Sequence, residues 1–124
     1  MINNNTSKPA ILLDFKKDRI RIYKRTLHSI GDPAYILLLV NPEGKTIAIL
    51  QSDRSDLRAY RLPPIRFTDK QSFEITSKLL MKNLLDICSH WENNCLYRIY
   101  GEVFQNECMA QFNLSEAVKA CGRR

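Results

Sequence analysis

Tyr35-Ile36-Leu37-Leu38-Leu39-Val40-Asn41-Pro42-Glu43-Gly44-Lys45-Thr46-Ile47-Ala48-Ile49-Leu50 is the stretch that decides the fold. Residues 35–40 form an unbroken apolar run of strand length, as a strand covered on both faces requires. Asn41-Pro42-Glu43-Gly44 then places Pro at the second and Gly at the fourth position of a type I turn. Residues 46–50 return antiparallel, so the stretch reads as a β-hairpin. Upstream, residues 18–22 alternate polar and apolar, which turns Ile20 and Ile22 inward and Arg19 and Arg21 outward. Residues 24–30 predict a short helix with Leu27 and Ile30 on one face. Gly31 supplies the left-handed conformation that ends it, and Pro33 blocks its continuation. Strand, short helix and hairpin make one unit over residues 16–52.

A second unit with the same plan follows at 72–124. Residues 73–75 alternate, and Thr76 or Ser77 caps a helix over 77–88. Leu80, Leu84 and Ile87 recur on that helix at i, i+4 and i+7, with Met81, Leu85 and Cys88 widening the stripe. Trp91 closes its end. Residues 97–104 and 108–114 flank Gln105-Asn106 as a second hairpin, and Ser115 caps a terminal helix over 116–121. Ile22 and Leu27 align with Ile75 and Leu80, while Tyr35, Ile47, Ala48 and Leu50 align with Tyr97, Met109, Ala110 and Phe112. An internal repeat of this kind predicts a mostly β (α+β) fold, a pseudo-symmetric barrel of two β-helix-β-β units sharing one core. The predicted core takes Ile20, Ile22, Leu27, Leu37, Leu39, Ile47 and Ile49 from the first unit. From the second it takes Ile75, Leu80, Leu84, Ile87, Ile99, Met109 and Phe112. Residues 1–15 remain as a polar tail and an apolar segment at 10–15, either a strand or a docking segment. Residues 53–71, with Pro63-Pro64, form the linker, with a short strand expected at 59–62.

The chain has 124 residues, of which 44% are hydrophobic and 26% charged, values that suit one globular domain and exclude a disordered chain. No segment reaches the roughly 18 apolar residues that cross a bilayer. Residues 10–13 are too short for a secretory signal and are interrupted by Asp14. A cytoplasmic protein without membrane contact is expected. The four cysteines, Cys88, Cys95, Cys108 and Cys121, contain no Cys-x-x-Cys and match none of the usual zinc spacings, which leaves a Cys/His site using His90 as a minor alternative. They read as structural thiols, with no metal and no cofactor. An enzyme is not expected. There is no P-loop, dinucleotide fingerprint or Gly-x-Ser-x-Gly, no close carboxylate pair, and His90 stands two residues from Cys88, on another helix face.

The net charge is +6, and residues 1–62 carry 11 Lys/Arg against 6 Asp/Glu, where residues 63–124 carry 8 against 7. Within 16–25 there are six basic residues, Lys16, Lys17, Arg19, Arg21, Lys24 and Arg25, and one acid, Asp18. Such a patch is either a phosphate-binding face or a solvated, aggregation-deterring edge. Arg25 is the base-reading choice, because guanine offers Arg two acceptors. Phe15 and Tyr23 have two available roles, base stacking and packing at the core or rim. His28, beside the patch, reads as a phosphate or solvent contact.

Asp18-Arg19-Ile20-Arg21-Ile22-Tyr23-Lys24-Arg25-Thr26-Leu27-His28-Ser29-Ile30-Gly31, followed by a hairpin, resembles the AbrB-like (SpoVT/AbrB) swapped-hairpin family. The family places Gly where Asp18 stands and Pro where Tyr23 stands. Two copies in one chain look like the MraZ-type arrangement. The resemblance implies a transcription regulator that binds double-stranded DNA through Arg19, Arg21, Lys24 and Arg25, with Lys16 and Lys17 adding long-range attraction. In some members it also implies a toxin partner; a homodimer, expected separately, would double the basic surface for a palindromic site. Glu74 occupies the second unit's place for Arg21. The alternative reading is a protein-interaction or assembly module on the same barrel, docking a partner through its hairpin faces without nucleic acid. A barrel that has lost DNA affinity is a third.

Overall fold

Ala10-Ile11-Leu12-Leu13-Asp14 is buried at every position, a pattern that only an interior strand produces. The computed structural model, which describes residues 8–63 and 72–120, makes this segment (β1, Ala10–Asp14) the middle strand of an antiparallel sheet. It pairs with β2 (Arg19–Tyr23) on one side and with β7 (Leu96–Tyr100) on the other. The apolar segment at 10–15 is therefore a strand and not an appended docking segment. Five residues are too few to reveal a two-faced strand by periodicity. The rest of the predicted N-terminal tail, residues 1–7, lies outside the described residues.

The remaining elements are α1 (Lys24–Ser29), β3 (Tyr35–Asn41), β4 (Thr46–Ser52), β5 (Tyr60–Arg61), β6 (Ser72–Thr76), α2 (Lys78–Ile87), β8 (Glu102–Phe104), β9 (Met109–Asn113) and β10 (Val118–Lys119). They build two five-stranded antiparallel sheets, in the orders β10-β7-β1-β2-β6 and β5-β3-β4-β9-β8. Among the described residues neither sheet closes into a barrel. The inner faces meet in one core that includes Ile11, Leu13, Ile20, Ile22, Ile36, Ile47, Ile49, Ile99, Ala110 and Phe112, with Met81 and Leu84 from α2. No helix among the described residues is long and apolar enough to cross a membrane.

The decisive hairpin forms as expected, with Asn41 opposite Thr46 and Leu37 opposite Leu50. Asn41 Oδ1 accepts the Gly44 amide at 3.1 Å, and the left-handed residue is Lys45 (φ 56°) rather than the glycine. Two-sided cover holds only for the first half of β3. Ile36 and Leu37 are buried, but Leu39, expected in the core, is 41% exposed. Met109, Leu80 and Ile87 are only partly buried.

Residues 97–104 are not one hairpin strand. The chain pairs with β1 up to Tyr100, bends at Gly101, and continues as β8 against β9 in the other sheet. A Cβ on Gly101 would stand 2.3 Å from the Gln111 carbonyl oxygen and 2.6 Å from Phe112 Cδ2, so only glycine lets the strand turn this corner. Cys108 precedes β9 in a left-handed conformation (φ 50°) instead of opening the strand. The terminal helix predicted over 116–121 is also absent from the described part of that span. Asn113 Oδ1 accepts the Ser115 amide, a single 3-10 turn follows, and Val118–Lys119 pairs with the edge of β7. So short a helix is marginal in water, whereas a sheet edge offers backbone partners at once. Residue 121 lies outside the described residues, as do residues 64–71 of the predicted linker. Its short strand forms as β5 on the edge of β3.

Candidate nucleic-acid interface

The six predicted cations separate into three groups. Arg19 and Arg21 point outward from β2 as alternation requires, but the neighbouring strand carries Glu74 opposite Arg21. Glu74 bridges both arginines, with Oε1 3.0 Å from Arg19 Nη1 and Oε2 2.9 Å from Arg21 Nε. Arg19 Nε also lies 3.5 Å from Asp14 Oδ2, outside hydrogen-bonding geometry. Asp14 is buried, and its Oδ1 accepts the Lys16 and Lys17 amides, holding the β1–β2 turn. Two carboxylates thus offset two guanidinium groups, and charge-assisted, forked contacts of this kind hold their geometry. Lys16 and Lys17 are exposed on that turn, roughly 13 Å along β2 from its other end.

At that other end, Lys24 and Arg25 begin α1 directly after Tyr23. The helix is anchored from within. Thr26 is fully buried, its hydroxyl donating to the Ala10 carbonyl and accepting the Ala10 amide, both at 2.7 Å. Ala10 lies just beyond the last β1–β2 pair, Ile11–Ile22, so Thr26 satisfies backbone groups that β2 leaves behind. The far end of α1 closes as a Schellman motif: the Asp32 amide donates to Leu27 and the Gly31 amide to His28, with Gly31 at φ 98°.

Across β1 stands β7, with Tyr100 opposite Ala10 and Arg98 opposite Leu12. Tyr23, Lys24, Arg25, Arg98 and Tyr100 line an open cleft of about 350 Å³. The Arg25 guanidinium carbon lies 5.9 Å from the Tyr23 ring centroid and 5.8 Å from that of Tyr100, within cation–π distance of both. No carboxylate among the described residues lines the cleft. Among the described residues neither Lys24 nor Arg98 forms an ion pair. Three cations and two aromatic rings are thereby concentrated in one concave site.

Arg98 and Tyr100 were not legible as site residues, because their proximity to Lys24 depends on β1 lying between β2 and β7. The available signal was Arg98 on the polar positions of the alternating run 96–100. Phe15, the other aromatic near the basic stretch, joins the core beside Trp91 and Tyr97, which stack at 4.6 Å. His28 pairs with Asp32 at 2.8 Å, one helical turn away from the cleft. Cys88 and Cys95 are buried thiols, and burial raises the Cys88 pKa, with nearby Lys45 opposing the shift. Among the described residues no group of three or more His, Cys, Asp or Glu could hold a metal ion.

No protein-family model, curated protein or solved structure matches the chain.

Proposed function

We propose that this protein is a small non-enzymatic DNA-binding regulator whose contact surface is the cleft at the α1 end of β2. The observation that carries the reading is that Lys24, Arg25 and Arg98 line one cleft with no carboxylate among the described residues of the lining. Such a site attracts phosphate by Coulomb forces and by release of counterions. In this reading Arg19 and Arg21 shape the sheet through Glu74 and leave phosphate contact to the cleft. Its setting is a cytoplasmic protein of AbrB-like duplicated design. Two pairings support such a duplicated architecture: β2 lies antiparallel to β6 with Ile20 opposite Ile75, and β4 to β9 with Ile47 opposite Phe112. Each joins corresponding strands of the two units about a local twofold.

Fluorescence anisotropy of labelled duplex DNA, titrated at several salt concentrations, tests the reading. Binding that weakens steeply with salt and is lost in Lys24→Glu/Arg25→Glu supports it. An absence of binding even at low salt removes it.

A second reading has its own observation. The outer face of the second sheet carries Leu37, Leu50, Met109 and Phe104 in one cross-strand row, with Leu39 beside it and Phe104 39% exposed. An apolar row of this kind suits a protein contact, including a homodimer. Light scattering over a range of concentrations tests it: a monomer throughout, unchanged by Leu39→Glu, would remove self-association.

A further inference from the structure

We infer that the cleft takes an unpaired nucleotide, with its base against Tyr100 and its phosphate between Lys24 and Arg98. The inference rests on the nucleic-acid reading above and deepens it. Four observations point the same way. The first is size: about 350 Å³ matches a small-ligand pocket, whereas a duplex presents convex backbone and two grooves. The second is the lining. Stacked bases in a duplex expose only their edges, so the faces of Tyr23 and Tyr100 gain contact only with a base that has left the stack. Tyr100 is 40% exposed and open to such a base. The Arg25 guanidinium, within cation–π distance of both rings, adds positive charge beside that surface.

The third observation concerns charge. A duplex is held by several phosphates spaced along its axis, which requires an extended basic track. On β2 the track is interrupted, because Glu74 and Asp14 engage Arg19 and Arg21. Lys24 and Arg98 instead line one cleft, an arrangement that suits a single phosphate better than a track. The fourth is the boundary. The adjoining hollow past Tyr100 is lined by Glu102 and Glu116 along with Lys8, so carboxylates stand where a strand would otherwise continue. This favours a nucleotide entering from the β2–β7 side. The same chemistry is offered by a strand end, a loop or a free nucleotide.

The test measures anisotropy of a labelled oligothymidylate and of a labelled duplex of equal length, with thymidine monophosphate as competitor. It uses the wild-type chain, Tyr100→Leu and Arg98→Gln, each checked for an unchanged circular dichroism melt. The expected result is tighter binding of the single strand than of the duplex. Tyr100→Leu should weaken the single strand by roughly 5- to 150-fold, the range for loss of one stacked base, and the duplex far less. Arg98→Gln should weaken the single strand and reduce its salt dependence. Displacement by the free nucleotide identifies a nucleotide pocket, and resistance to it identifies a strand site; both support the inference. Duplex binding equal to or tighter than the single strand, with no effect of Tyr100→Leu, overturns the inference and leaves the DNA-binding reading standing. No binding of either polymer, with none of the free nucleotide, overturns both.

Discussion

Arg19 and Arg21 carry the same charge as Lys24 and Arg98, lie on the same sheet or at its end, and do opposite things. The first two face Glu74 and Asp14 and spend their charge inside the protein. The other two, 74 positions apart by their numbering, meet at a cleft that no carboxylate lines among the described residues. The difference teaches that a cluster of cations in sequence is not a cluster of available cations. A strand shows its outward residues to whichever strand pairs beside it. Arg21 meets Glu74 because β6 is that neighbour, and Arg98 joins Lys24 because β1 brings β7 within reach.

Five variants break or sharpen this contrast. The largest effect is expected from Gly101→Ala. The added methyl meets backbone at 2.3 Å, so the corner that holds β7 in place must move, at a cost of about 3 kcal/mol in urea unfolding. An unchanged midpoint would mean that the strand switch is not needed to hold Arg98 and Tyr100. Next, Lys24→Glu/Arg98→Glu should lower DNA affinity about 100-fold at low salt and flatten the salt dependence by roughly two in log–log slope. Arg19→Gln/Arg21→Gln should move affinity far less; an equal loss would erase the distinction between the two groups. Thr26→Val removes both hydrogen bonds to Ala10 while keeping the shape of the side chain, and should cost about 2 kcal/mol of stability. The smallest change is expected from Glu74→Gln. It weakens partly exposed ion pairs, so stability should fall by no more than about 1 kcal/mol. With two arginines released, DNA affinity should rise a few-fold; a fall would place Glu74 in the binding site instead.

Much of the local structure was legible in residues that act through their immediate neighbours. Pro42 and Gly44 marked the hairpin between Asn41 and Thr46, and Gly31 marked the end of α1. Ser77 capped α2, its Oγ accepting the Leu80 amide at 3.1 Å. The helical stripe correctly placed Leu84 inside, because helix periodicity is a property of a single segment. The apolar run of β3 was a weaker guide: it suggested burial on both faces, yet Leu39 looks out from the sheet. The shorter run of β1 concealed the most deeply placed strand of its sheet. Run length reports hydrophobicity, and burial depends on what lies above and below.

The sequence by itself determined that this is a mostly β protein with helices near residues 24–30 and 77–88, where its principal hairpin turns, and that positive charge gathers around residues 16–25. Those features follow from backbone preferences, alternation and charge, all of which operate over a few residues. Only the tertiary structure decided that β1 sits at the centre of its sheet, that the strand through Gly101 divides between two sheets, and which cations share a cleft. Strand pairing is non-local. The backbone hydrogen bonds of β1 would serve many partners, and the choice of β2 and β7 is made by how all the apolar faces can be buried together.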